Sequence, residues 1–150
     1  MQKFTEAQQA ARNSQYLPDT PEQSAGNVGL TRRQQYIARL NAVFEYIDKH
    51  MSEKLMLKEV AEIAHFSQTH FERIFKEYTN YSFYQYLKHI RIKKAETLLL
   101  TPELPITTVA LDVGFESITA FNKAFKEIKH CTPSEYKKLH CWELMDNNII

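Results

Sequence analysis

Glycine is scarce in this sequence, with only Gly26, Gly29 and Gly114 among 150 residues. So few glycines exclude the glycine-rich loops that bind phosphates and the dense turns of a β-sandwich. Long apolar runs are lacking too, because no stretch approaches the ~20 residues of a membrane span. The N-terminal MQKFTEAQQAARNSQ also lacks the apolar core of a signal peptide. We therefore expect a cytoplasmic protein that does not bind a membrane.

Cysteine content and net charge are low as well. The two cysteines, Cys131 and Cys141, form no disulfide framework in the cytoplasm. The 19 basic residues against 18 acidic ones give a net charge of +1, which by itself argues against a nucleic-acid partner. Two segments are nevertheless basic, since residues 88–96 hold four Lys or Arg and one Glu, and residues 121–138 hold five Lys and two Glu. Basic segments within a neutral chain predict weak non-specific DNA binding and an affinity that depends on base contacts.

Helical periodicity begins near residue 36. Residues 1–35 hold few large apolar side chains and include the stretch LPDTPEQSAGNVGL, which is typical of a flexible extension. From residue 36 onward, apolar residues recur at positions i, i+3, i+4 and i+7, and no segment alternates with period two. The sets with this spacing are Leu40, Val43, Phe44 and Ile47; Phe71, Ile74, Phe75 and Tyr78; and Phe121, Ala124, Phe125 and Ile128. The pattern predicts an all-α domain over residues 36–140 and a C-terminal tail over residues 141–150.

Capping residues divide this domain into seven predicted helices. Ser82 with Gln85 and Thr132 with Glu135 form capping boxes. Ser67 and Ser117 mark two further helix starts. The predicted helices span residues 36–50, 57–65, 67–79, 83–100, 106–113, 117–129 and 133–140.

The sequence repeats itself at an offset of 49–50 residues. The first copy contains Leu57, Val60, Ala61, Phe66, Ser67, Phe71 and Phe75, and the second contains Ile106, Val109, Ala110, Phe115, Ser117, Phe121 and Phe125. A short helix, a turn and a second helix, occurring twice, predict two helix-turn-helix units over about residues 36–80 and 104–140. The linker helix between them, at about 83–100, is about 27 Å long, comparable to the ~34–36 Å between successive major-groove faces of DNA. One chain is therefore predicted to place two recognition helices in adjacent grooves.

Two segments carry a resemblance to a known family. ITTVALDVGFESITAFNKAFKEIKHCTPSEYK (106–137) resembles the second-unit signature of the DNA-binding domain in the AraC/XylS family of bacterial transcription regulators. YLKHIRIKKAETLL (86–99) is similar to the linker helix of that family, and the resemblance covers about residues 40–139. RLNAVFEYIDKH and AHFSQTHFERIFK are most similar to a subgroup that often carries a C-terminal gyrase-inhibitor-like effector domain. We expect no such domain here, because the chain ends about ten residues after the match.

The resemblance implies a function and its partners. It implies a sequence-specific, double-stranded-DNA-binding regulator that activates transcription beside RNA polymerase, and a monomer that binds an asymmetric site. A helical protein-interaction module or antiactivator, which keeps the fold but not the DNA affinity, is the alternative, and near-neutral charge and Glu72 favour it.

The polar faces of the two recognition helices hold the candidate DNA contacts. The predicted base-reading residues are Gln68, Thr69, Glu72 and Arg73 in the first unit and Ile118, Thr119, Asn122 and Lys123 in the second, and the predicted phosphate contacts are Lys76 and Lys126. The base-reading set matches the base-contacting positions of the family, by resemblance. Arg73 and Lys123 suit guanine, and Asn122 suits adenine. Gln68 and Thr69 suit adenine or a thymine methyl group, and Glu72 can accept from cytosine N4. An ordinary solvated helix face is the alternative, and the repeat favours base reading for Arg73, Asn122 and Lys123. Ile118 is either tolerated surface or a contact for a thymine methyl group.

Three further residues carry expectations of their own. The family usually has glycine after each recognition helix, where this chain has Asn80 and His130. Asn80 is a mild substitution, whereas His130 is expected to strain or reshape its helix end. Arg91 lies on the apolar side of the linker helix and is expected to form a buried ion pair rather than a phosphate contact.

Enzyme and metal functions find no support in the sequence. It contains no nucleophile elbow, no Walker loop and no evident Asp/Glu pair, so we expect no catalysis and no cofactor. The dipeptides His130-Cys131 and His140-Cys141 are wrongly spaced for a small zinc site, so no metal is expected. His65 and His70, beside the first turn, are expected to cap or pack.

Overall fold

The computed structural model describes the backbone of residues 31–147 and the side chains of residues 31–140. This part of the chain folds into seven α-helices and contains no strand, which confirms the all-α prediction. The helices are α1 (Arg32–His50), α2 (Leu57–Ile63), α3 (Gln68–Thr79), α4 (Phe83–Leu99), α5 (Ile106–Asp112), α6 (Ile118–Lys129) and α7 (Pro133–Asn147). Most of the predicted N-terminal extension lies outside the described residues.

Helices α1 and α7 are longer than predicted, whereas the other five begin and end within two residues of prediction. Helix α1 begins at Arg32 because Thr31 and Gln34 form a capping box. The Thr31 amide donates to Gln34 Oε1 at 2.9 Å, and the Gln34 amide donates to Thr31 Oγ1 at 3.2 Å. Helix α7 continues to Asn147, so most of the predicted tail is helical. No glycine or proline interrupts the chain after Pro133, which leaves nothing to stop this helix early.

The structure divides into two compact units, which contain one helix-turn-helix pair each. In the first, the predicted apolar stripe of α1 is buried against α3 and the start of α4. Its centre is a cluster of rings in which Phe44, Phe75 and Tyr86 lie 5.2–5.8 Å apart between ring centroids. These aromatic residues are core residues, as their helical spacing predicted.

The second unit has a core of the same kind. Phe121 and Phe125 of α6 are fully buried and pack on apolar residues of α4 and α5. The Phe125 ring also contacts the Tyr136 ring of α7, with 5.4 Å between centroids. An ion pair between Lys129 and Glu96 joins α6 to α4 within this unit.

The turn between the paired helices has the same hydrogen bonds in both units. The Phe66 amide donates to the Ala61 carbonyl at 2.9 Å, and the Phe115 amide donates to the Ala110 carbonyl at 3.1 Å. Each bond spans five residues across a residue with positive φ, which is the Schellman pattern of helix termination. That residue is His65 (φ 58°) in the first unit and Gly114 (φ 100°) in the second. The internal repeat found in the sequence is therefore a repeat of backbone geometry.

Helices α3 and α6 both end on a left-handed residue. Asn80 has φ 65° and ψ 12°, and His130 has φ 63° and ψ 17°. Each amide donates to the carbonyl four residues earlier, at 2.9 Å in both units. His130 therefore does not reshape its helix end, since it adopts the same geometry as Asn80. His130 nevertheless adopts a left-handed backbone conformation, which is unfavourable for a residue with a Cβ atom.

Replacing His130 with glycine is expected to raise the free energy of unfolding by about 0.5–1 kcal/mol, because glycine removes the left-handed strain and only part of this gain is lost to unfolded-state entropy. Urea unfolding followed by circular dichroism measures the change. Asn80→Gly is the matched control and should gain less, because asparagine tolerates this conformation. A loss of stability in His130→Gly would show that the imidazole is worth more than the strain it causes.

Candidate nucleic-acid interface

Serine caps set the start of α3 and α6, the second helix of each helix-turn-helix pair. Ser67 Oγ accepts from the His70 amide at 3.2 Å, and Ser117 Oγ accepts from the Ala120 amide at 3.1 Å. Both serines have extended backbones, so the chain turns into the helix at the same place in each unit. The first outward residue of each helix, Gln68 or Ile118, follows its cap directly. The caps therefore fix which side chains the first turn presents.

The inward face of α3 anchors it in the first unit. Phe71, Ile74 and Phe75 are buried, with at most 4% of their surface exposed. The opposite face contains five exposed residues at helical spacing. We call this set the α3 face, and it consists of Gln68, Thr69, Glu72, Arg73 and Lys76. The structure thus brings together all five residues predicted for the first unit.

Helix α6 has the same construction. Phe121, Ala124 and Phe125 are buried, and five exposed residues lie on the other side. This α6 face consists of Ile118, Thr119, Asn122, Lys123 and Lys126. Every residue of the α6 face lies 50 positions after its counterpart in the α3 face. The two units therefore present matched sets of side chains on matched helices.

Several lysines of the basic segments are engaged within the second unit. Lys88 Nζ lies 3.2 Å from Glu127 Oε2, and Lys129 pairs with Glu96. Lys137 Nζ donates to the Leu104 carbonyl. These contacts hold the three lysines within the second unit, and they leave the net charge of residues 88–96 and 121–138 unchanged, because Glu96 and Glu127 belong to the same two segments.

The α3 face and the α6 face differ in their charged residues. The α6 face holds Lys123 and Lys126 and no carboxylate, whereas the α3 face combines Arg73 and Lys76 with Glu72. Three other acidic residues lie outside α3 and α6, because Glu59 and Glu62 belong to α2 and Asp112 to α5. Of the two faces, the α6 face is thus the better suited to attract phosphates.

Arg91 binds the main chain. Its Nε donates to the Met51 carbonyl and its Nη2 to the Glu53 carbonyl, both at 2.8 Å. The guanidinium carbon lies 6.0 Å from the centre of the Phe115 ring. Burial lowers the pKa of Arg91, and the charge of Glu116 opposes that shift. The prediction of a buried ion pair is therefore wrong, because the hydrogen-bond partners of Arg91 are main-chain carbonyls. Through these bonds Arg91 holds the loop over residues 51–54.

The histidines and cysteines do not assemble into a metal centre in residues 31–140. No three His, Cys, Asp or Glu side chains of this region are placed to hold a metal ion. The Cys141 side chain lies outside the described part, so the predicted His140-Cys141 pair cannot be placed. His70 packs against the rings of Tyr36 and Phe66, as predicted, with centroids 5.7 and 4.7 Å away.

Within residues 31–147, no helix is both long enough and apolar enough to cross a bilayer.

The chain is similar in sequence to known proteins. A family model described as a helix-turn-helix domain matches residues 60–139, a little over half of the chain. The regulatory protein PocR of Salmonella typhimurium is 28% identical over 122 residues, which are 81% of this chain and 40% of PocR. The chain therefore spans less than half the length of that curated relative.

Solved structures are similar over about two thirds of the chain. The C-terminal domain of AraT, a response regulator from Geobacillus stearothermophilus, is 35% identical with a TM-score of 0.64, and the match covers 67% of this chain and 84% of that domain. The DNA-binding domain of AdpA, a global transcriptional factor, was solved in complex with a target DNA. It is 26% identical with a TM-score of 0.65, and the match covers 68% of this chain and 92% of that domain.

Proposed function

Since the chain belongs to the AraC-type helix-turn-helix family of transcription regulators, we propose that it reads a specific double-stranded DNA site by placing α3 and α6 in adjacent major grooves. The observation that carries the proposal is the pair of matched faces on two equally capped helices. A solvated helix face needs no counterpart 50 residues later, whereas a protein that reads two turns of DNA does. The structure of AdpA with its target DNA gives the family context.

Nine of the ten residues of the two faces have a proposed role here. Arg73 donates two hydrogen bonds to guanine, and Asn122 makes the bidentate pair with adenine. Lys123 donates to guanine, and Glu72 accepts from cytosine N4. Gln68 and Thr69 read neighbouring base edges in the first half-site, and Thr119 does so in the second. Lys76 and Lys126 lie one turn further along their helices and bind phosphates, which position the helix without reading sequence.

The asymmetry of the chain supports a monomeric mode of binding. The α3 and α6 faces share only threonine and the last lysine among their five positions. One chain therefore supplies two faces with different side chains, and a single copy suffices for an asymmetric site of about two helical turns of DNA. We propose that it activates transcription from such sites beside RNA polymerase, in the cytoplasm and with neither a cofactor nor a catalytic role.

Selection from random duplex DNA tests this function. The full chain is expected to enrich one asymmetric motif with two parts separated by about 10 base pairs. Transcription with RNA polymerase should then rise when the selected site is placed upstream of a weak promoter. If no motif is enriched, DNA reading is wrong and the protein-interaction alternative stands, which Glu72 and the near-neutral charge favour.

A further inference from the structure

The first outward residue of α6 is an isoleucine that is exposed to solvent. Ile118 is 40% exposed, whereas the inward residues Phe121 and Phe125 are fully buried. The Ser117 cap places Ile118 at the start of the helix, the part of a recognition helix that contacts base edges. A β-branched apolar residue gains little at such a position, because it neither packs in the core nor favours the helix. Its chemistry therefore suits an apolar ligand group better than solvent.

The residues near Ile118 indicate which group on the DNA it contacts. Asn122 lies four positions later and thus one turn away on the same face. An asparagine amide suits adenine N6 and N7, and the only apolar group at a base edge in the major groove is the C5 methyl of thymine. An isoleucine and an asparagine side by side therefore match a short A·T segment.

The matched position of the first unit has the opposite chemistry. Gln68 replaces the isoleucine, and Glu72 replaces Asn122. Both helices carry the same cap and end on the same left-handed geometry, so the difference between them is one of side chains. A contact from an isoleucine therefore belongs to the α6 face alone, whereas Thr69 and Thr119 are common to the two faces.

We infer that Ile118 packs against the C5 methyl group of one thymine in the half-site bound by α6, so that this half-site requires an A·T pair at that position. The inference rests on the proposed function and adds an apolar contact to its hydrogen bonds. The α3 face has glutamine at the matched position, so the two half-sites differ in their dependence on a thymine methyl group there.

Deoxyuridine tests the contact, because it pairs like thymidine but lacks the methyl group. The selected duplex is remade with one thymidine replaced at a time, and the affinity of the full chain is measured for each. At one position of the α6 half-site, identified as the half whose base preference changes in Asn122→Ala, affinity should fall about fourfold, the ratio expected for one buried methyl group. Ile118→Ala should bind the thymidine and deoxyuridine duplexes equally.

Two variants control for apolar exposure and for the other unit. Leu111 is 59% exposed in the second unit but belongs to α5, and Gln68 occupies the matched position in α3. Leu111→Ala and Gln68→Ala should both retain the fourfold discrimination. If no replacement weakens binding, or if the loss persists in Ile118→Ala, the inference is wrong while the selected motif still supports DNA reading. If no motif is selected at all, both the function and the inference fail.

Discussion

Replacing Gly114 with alanine is expected to lower the free energy of unfolding by about 3 kcal/mol. Gly114 has φ +100°, and a Cβ atom there would lie 2.6 Å from the Met51 carbonyl oxygen and 2.9 Å from Arg91 Nε. The added methyl would meet backbone on one side and the guanidinium that holds residues 51–54 on the other. Neither can yield without breaking the hydrogen bond between them. Urea unfolding followed by far-UV circular dichroism measures the loss.

The first unit provides a matched control for Gly114. His65 occupies the same position of the repeated turn, with φ 58°. It already carries a Cβ atom and its side chain is exposed, so His65→Ala adds no atom to the turn. We expect a change of less than about 0.5 kcal/mol, as for ordinary surface substitutions. Equal losses in the two variants would contradict the steric argument, since His65→Ala adds no atom that could clash.

Local sequence signals were sufficient for most helix boundaries. The serine caps before α3 and α6 and the capping boxes before α4 and α7 act within four residues, so the sequence alone shows them. The start of α1 depends on an equally local capping box, Thr31 with Gln34. Apolar periodicity does not predict this start, because the residues directly after Thr31 are polar.

Contacts between distant residues were not predictable in this way. The carbonyls that hold Arg91 belong to residues 38 and 40 positions away, and periodicity reports side chains rather than free carbonyls. The pair of Lys88 with Glu127 spans 39 residues, so periodicity within one helix does not predict it. The composition of the α3 face and the α6 face was predictable, because buried phenylalanines at helical spacing fix which residues lie opposite them.

Arg73→Ala and Asn122→Ala are each expected to weaken binding to the selected site by ~1–3 kcal/mol, with little change on random duplex DNA. Both side chains are exposed in the first half of their helices, and each can form two hydrogen bonds with one base. Alanine removes these bonds only where the correct base is present, so the loss is specific to the site. Fluorescence anisotropy with both duplexes at one fixed salt concentration measures it.

Lys76→Ala and Lys126→Ala are the matched controls, since each lies on the same face as its base-reading neighbour but one turn further along. A lysine that binds phosphate contributes equally on every sequence, so both duplexes should be bound more weakly by the same factor. Each variant should also reduce the slope of log K against log salt by about one, the value for one released counterion. If Arg73→Ala and Asn122→Ala instead behave like these lysine variants, their contacts are with the backbone, and the bases are read by other residues of the two faces.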